Sequence, residues 1–167
     1  MAIDGAAAEL KPPSTRLREL GIELPASAVP GVRVSYRRLV VDGTTAYLSG
    51  HLPINGRDLT HQGRVGVDLD VEAGVAAARS CALSMFRTIE DELGSIDAVE
   101  RWLQVNAFVC AVPGFTSQPQ VANGFTDLVQ ELWGDDRLAA RTAVGAPDLP
   151  LGVPVEVAAV VRIAGRG

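Results

Sequence analysis

Two segments of the chain, residues 99–112 and 153–161, are largely apolar on both of the faces that a β-strand presents. In the second, Val153-Pro154-Val155-Glu156-Val157-Ala158-Ala159-Val160-Val161, one carboxylate interrupts the run. Strands of this kind have to be covered on both sides. The rest of the chain offers two long helical patterns, and two helices packed side by side cover one face of a sheet. The other face must meet something apolar that the chain does not supply. The pattern therefore predicts a homo-oligomer whose sheets face one another.

The helical patterns are well marked. Val71, Val75, Ala78, Ala82, Met85, Ile89 and Leu93 recur at helical spacing, with Asp70 as N-cap and Gly94 as the stop. A second helix is expected from about residue 117 to 133, with Val121, Phe125, Leu128 and Leu132 on one face and Gly134 after it. Asp42-Gly43 between apolar segments predicts a β-hairpin, because a type I′ turn needs positive φ. Its first strand draws on Val32, Val34 and Tyr36 and then Leu39 to Val41; residues 44–50 return. Residues 51–69, with Pro53, Asn55-Gly56, Gly63 and Gly66, read as a loop with room for one short strand. The last strands are 140–146 and 153–163. Ser14-Thr15 caps a short helix to Leu20 inside an N-terminal extension, residues 1–30; residues 31–167 read as one domain. The order β-β-α-β-α-β-β predicts an α+β sandwich, a mostly antiparallel sheet with two helices on one face.

Composition removes several functional classes. Fifteen basic and 20 acidic side chains give a formal net charge of -5, against the basic footprint of a general nucleic-acid binder. No apolar run approaches about 18 residues, so no membrane span is expected. Cys81 and Cys110 make no disulfide framework, and no Cys/His cluster has metal-ligand spacing, so no metal is expected. The chain start carries no basic segment followed by a long apolar run, so a cytoplasmic location is expected.

The lone carboxylate is the chemical clue. Burying Glu156 in an apolar strand is costly unless it is paired or functional. Leu149-Pro150 lies midway between the last two strands. If these pair as a hairpin about that point, Arg141 faces Glu156 across it, on one face. One reading is a structural ion pair. The other is an anion site, in which the arginine fork grips a substrate carboxylate and the glutamate handles protons.

The segment Arg141-Thr142-Ala143-Val144-Gly145-Ala146-Pro147-Asp148-Leu149-Pro150-Leu151-Gly152-Val153-Pro154-Val155-Glu156-Val157 resembles the C-terminal signature of the Rid family, also called YjgF-like and labelled L-PSP endoribonuclease. Tyr47-Leu48-Ser49-Gly50-His51-Leu52-Pro53 resembles its Ser-Gly-Gln strand end, and Pro113-Gly114-Phe115 with Asn123 its second-helix region. The resemblance covers roughly residues 32–163, a single YjgF-like domain over 31–167. It implies a chorismate-mutase-like α+β fold assembled as a homotrimer, with ligand clefts between subunits. It implies hydrolysis of reactive enamines and 2-imino acids to 2-keto acids and ammonia, with no cofactor and no metal. By position, Arg141 matches the arginine that holds the substrate carboxylate and Glu156 the acid that positions or activates water. Tyr36, thirteen residues before Ser49, matches the cleft tyrosine, and Asn123 the second-helix asparagine. Ser49, Gly50 and His51 complete the implied substrate-binding set. Ala143 stands where many deaminase members carry a cysteine, and His51 where they carry glutamine.

Other residues have simpler readings. His51 is a candidate proton shuttle at the cleft mouth, against the commoner reading of a polar loop histidine. His61 reads as a surface loop residue. Cys110 reads as a small core residue, and Trp102 and Trp133 as packing anchors. Gly50 and Gly145 allow close backbone approach. Two alternatives to the deaminase stay open: a non-catalytic binding or sensing protein for a small carboxylate, and an endoribonuclease.

Overall fold

The computed structural model describes residues 10–27 and 34–165. A five-stranded sheet is formed by β1 (Leu39–Asp42), β2 (Thr45–His51), β5 (Val99–Cys110), β6 (Ala140–Ala146) and β7 (Val155–Ile163), in the spatial order β1-β2-β7-β5-β6. Two helices, α2 (Val71–Leu93) and α3 (Gln118–Trp133), pack on one face. All neighbouring strand pairs are antiparallel except β5 and β6, which run parallel. The α+β sandwich with a mostly antiparallel sheet is as the pattern predicts.

The helix boundaries follow their signals. Asp70 accepts a hydrogen bond from the Ala73 amide at 2.8 Å, and Gly94 ends α2 at φ 86°. Ala77, Ala78, Cys81, Ala82, Met85, Phe86 and Ile89 of α2 are buried, as are Val121, Phe125, Leu128 and Leu132 of α3. Trp102 lies in a ring of aromatics with Phe86, Phe125 and Trp133, at centroid separations of 5.9, 5.6 and 5.4 Å. The Trp133 indole donates to the Val99 carbonyl at 2.9 Å, so both tryptophans are packing anchors. The hairpin forms, but Asp42 is paired to Thr45, so the turn is Gly43-Thr44, with positive φ at Gly43 alone (60°). The expected type I′ turn centred on Asp42-Gly43 is corrected, because type I′ needs both central residues at positive φ.

Three further expectations are corrected. The strand through Val34 and Tyr36 does not extend into the sheet: residues 34–38 are bends and coil, and β1 begins at Leu39; Val32 lies outside the described residues. Residues 51–69 hold a two-stranded ribbon, β3 (Ile54–Asn55) with β4 (Asp58–Leu59), rather than one short strand. The largest correction concerns the last two strands. They do not pair as a hairpin; β5 lies between them. The reason is topological. A strand, a helix and a strand in succession form a crossover, which places β6 parallel beside β5. The chain then returns through residues 147–154, past β5, to fill the slot between β2 and β5.

A short helix, α1 (Pro13–Glu19), precedes this core. The Ser14 amide and hydroxyl both donate to the Asp97 carboxylate, at 2.8 and 2.6 Å, and Leu17 is buried. Residues after α1 are tied to the ribbon and α2: the Ala26 amide donates to Asn55 Oδ1 at 2.7 Å and Arg87 Nε to the Pro25 carbonyl at 2.9 Å.

The sheet face away from the helices is open. Val40, Tyr47, Phe108 and Val144 lie on it and are exposed, among Gln104 and Asn106 of β5. The open face is thus less uniformly apolar than the sequence pattern implied. It still carries four large apolar side chains that nothing in the described residues covers.

Candidate functional site

Registry places the two charged residues. Along β5, side chains alternate between faces. Val105 pairs with Arg141 of β6, whereas Phe108 pairs with Glu156 of β7. Val105 is buried under the helices, and Phe108 belongs to the open face. Arg141 therefore projects on the helix side at the sheet edge, and Glu156 on the open side. The pairing of the two across a hairpin, on one face, is corrected: a structural ion pair within one chain does not form.

Arg141 is oriented by α3. Nη1 donates to Asn123 Oδ1 and to Thr126 Oγ1, each at 2.8 Å, and Nη2 to the Pro119 carbonyl at 3.2 Å. All three acceptors are neutral. Among the described residues no carboxylate lies within salt-bridge distance of Arg141. The guanidinium is held by its edges with its charge uncompensated, the arrangement that suits capture of an external anion. The structure thus brings Asn123 to Arg141, and it adds Thr126, which sequence reasoning missed. Asn123 and Thr126 are three apart on one helix, so they share a face; that spacing was the available signal.

Glu156 is half-buried. No hydrogen bond or ion pair to its carboxylate occurs among the described residues, and burial raises its pKa above the ordinary 4.5. It lies against Gly50. A Cβ at that position would overlap the Glu156 carboxylate, so the close approach expected of Gly50 is an approach to this side chain. β2 pairs regularly with β7 up to Leu48 opposite Ala159, then slips, resuming with His51 opposite Val157. The resulting bulge is what seats Gly50 beneath Glu156.

His51 ends that bulge. It is neither in a surface loop nor at a cleft mouth: it is 4% exposed, with its ring turned to the helix layer. Nδ1 lies 2.7 Å from the Ser49 carbonyl and Nε2 2.9 Å from Thr88 Oγ1. Burial lowers its pKa to about 4 against the gain from the Ser49 carbonyl, so the ring is neutral near pH 7. A neutral, enclosed ring with both nitrogens engaged is not a proton shuttle. Ser49 donates its hydroxyl to the Arg37 carbonyl at 2.7 Å. Tyr36 is 55% exposed, just upstream of β1. His61 is half-buried, bonded to the Thr60 hydroxyl at 2.9 Å. Cys110 is buried, as its core reading requires. No group of three metal-binding side chains occurs among the described residues. Among the same residues no helix is long and apolar enough to cross a membrane.

The chain's likenesses to known proteins agree with this architecture. The model of a family described as Endoribonuclease L-PSP matches residues 26–163. Protein TCP17 of Trypanosoma cruzi is 40% identical over 151 residues, 90% of this chain and 93% of that protein. The crystal structure of Atu1372, a protein with unknown function from Agrobacterium tumefaciens, is 34% identical with a TM-score of 0.82, covering 91% of this chain and 92% of that one. RidA from an Antarctic Psychrobacter shares the fold at 23% identity and a TM-score of 0.55, covering 83% and 94%.

Proposed function

The chain belongs to the Endoribonuclease L-PSP family, and on that membership we propose that it hydrolyses reactive 2-imino acids and their enamines to 2-keto acids and ammonia. The observation that carries this reading is Glu156: a half-buried carboxylate with raised pKa and no partner among the described residues, on a sheet face that is otherwise open. Such a group holds a proton more readily than an ordinary glutamate and can take one up and return it.

Because Arg141 and Glu156 project on opposite faces, the reading assigns them to one site through two copies of the chain. A homotrimer, expected from the family resemblance, brings the open face of one copy against the edge of the next. Val40, Tyr47, Phe108 and Val144 are then covered. Arg141 of one copy grips the substrate carboxylate, preset by Asn123 and Thr126. Glu156 of its neighbour holds a water against the imine carbon, with Tyr36, Ser49 and Gly50 as further candidates for the cleft wall.

The chemistry asks little of the protein beyond placement. A protonated imine carbon is already electrophilic. Glu156 takes a proton as water oxygen bonds to that carbon, forming a carbinolamine. The proton passes to nitrogen, the C–N bond breaks and ammonia leaves, while the hydroxyl gives its proton to Glu156 as its oxygen becomes the keto oxygen; that proton then passes to ammonia. Holding the carboxylate and one water at the reacting carbon supplies most of the acceleration.

The test is incubation with 2-iminobutyrate generated in place by a dehydratase. The proposal expects keto-acid release faster than in buffer, abolished by Arg141→Ala and by Glu156→Gln. No acceleration by the wild-type chain would refute it. A keto acid that raises Tm without turnover would point instead to the binding protein, and RNA cleavage lost with Arg141→Ala to the nuclease.

A further inference from the structure

The bulge at the end of β2 couples the helix layer to the carboxylate on the opposite face. The His51 ring lies on the helix side, and the Glu156 carboxylate rests against Gly50 on the open side. The backbone of Ser49, Gly50 and His51 joins the two. That backbone has left the regular ladder: no residue of β7 pairs with Ser49 or Gly50. On the β1 side it is held by the Ser49 amide and hydroxyl, which donate to the Arg38 and Arg37 carbonyls at 3.0 and 2.7 Å; on the helix side it is held by the ring. His51 donates its Nδ1 proton to the carbonyl of Ser49, across the extra residue, and accepts at Nε2 from the hydroxyl of Thr88 on α2. The tautomer follows from the partners, since a carbonyl can only accept.

We infer that His51 is a positioning residue for Glu156: the Thr88–His51–Ser49 chain of hydrogen bonds locks the bulge, and the locked bulge fixes the seat of the carboxylate over Gly50. This rests on the proposed role of Glu156 in hydrolysis, which it deepens by naming what aims that group. Three features of the site fit it. A bulge one residue long is the part of β2 free to shift against β7, because its ladder bonds are missing. A carboxylate without hydrogen bonds of its own takes its position from what it packs against, here Gly50. The buried imidazole carries one donor and one acceptor, and each is used. A glutamine, with a donor and an acceptor on one amide, can make the same two bonds, whereas alanine makes neither.

Thr88→Val is the cleanest probe, as it removes only the hydroxyl that holds Nε2; His51→Ala removes the ring and His51→Gln is the conservative exchange. Two readouts are needed: the carbon-13 titration of the Glu156 carboxyl, assigned with Glu156→Gln, and kcat and KM for 2-iminobutyrate. The inference expects Thr88→Val and His51→Ala to move the Glu156 midpoint down towards that of an ordinary glutamate, as its burial loosens. It expects kcat to fall about tenfold with KM within about twofold, because Arg141 still holds the substrate. His51→Gln restores both. A Thr88→Val chain that loses Tm alone, with the Glu156 midpoint and kcat of the wild type, overturns the inference. If the wild-type chain turns over no imine, the proposed reaction fails, and the titration still decides whether His51 sets the environment of Glu156. If His51→Ala does not fold, Thr88→Val decides.

Discussion

Arg141 and Glu156 stand on opposite faces of one sheet, with β5 between their strands. A site that uses both has to be assembled from two chains, and this makes it divisible. Arg141→Ala and Glu156→Gln chains should each be inactive alone. Co-expressed, they should regain activity, because some interfaces then pair an intact arginine with an intact glutamate. In randomly mixed assemblies about a quarter of the sites qualify. Activity of purified mixed oligomers, with each chain separately tagged, is the measurement. Mixed assemblies as dead as their parents would exclude a shared site.

In the proposed reaction, Glu156 sets function against stability. Its pKa is raised by burial, so the folded chain disfavours the ionised form. Stability linked to this group is complete below the ordinary glutamate value and is lost as pH rises through the raised one. Glu156→Gln should therefore melt above the wild type at neutral pH, with the gap closing in acid, while hydrolysis is abolished. Thermal melts of both chains between pH 4 and pH 8 decide this. A glutamine variant less stable than the wild type at pH 8 would mean that the carboxylate is held by a favourable interaction.

His51 works in the opposite direction. Its folded pKa of about 4 lies below the ordinary 6.5, so the unfolded chain binds a proton first. The stability tied to the neutral ring is full above pH 6.5 and is lost as pH falls towards 4, about 3 kcal/mol across that window. Arg38 also opposes protonation, though less than burial does. His51→Gln removes this group's titration. The stability difference between wild type and variant, from urea melts, should fall on acidification over this range. A difference that does not vary with pH would show that the ring is solvated.

Much of this was legible in residues alone. Seven apolar side chains at helical spacing from Val71 to Leu93, with Asp70 before and Gly94 after, define α2 to the residue. The lone charge in an apolar strand marked Glu156, because carboxylates do not enter such strands without cause. What the sequence hid is long-range pairing. A midpoint between two strands fixes their register only if they form a hairpin, and nothing local in Leu149-Pro150 distinguishes a turn from a return past another strand. The burial of His51 was hidden for the same reason. Its partner Thr88 is 37 residues away, and Pro53 with Asn55-Gly56 after it gave the segment the look of a loop.

Gly124 carries a constraint of that hidden kind. It reads as an ordinary mid-helix residue beside Asn123, and in a helix alanine is favoured over glycine by about 1 kcal/mol. In the fold, α3 crosses α2 at this point so closely that a Cβ on Gly124 would overlap the Val75 carbonyl oxygen and crowd the Arg79 amide. Backbone atoms inside a helix cannot rotate away, so the helices must separate, and overpacking of this kind costs about 1–3 kcal/mol or more. The obstacle outweighs the propensity, and Gly124→Ala should lose about 1 kcal/mol or more net. Gly74 provides the comparison. A Cβ there meets Val121 Cγ2 at 3.1 Å and Val65 Cγ2 at 3.3 Å, side-chain atoms that can give by a few tenths of an ångström. Gly74→Ala should cost less than Gly124→Ala. Urea midpoints of the two variants test the ordering. Because α3 also carries Asn123 and Thr126, Gly124→Ala should raise KM as Arg141 loses its brace, whereas Gly74→Ala should leave KM unchanged. Equal stability of the two variants would mean that the helices do not approach this closely.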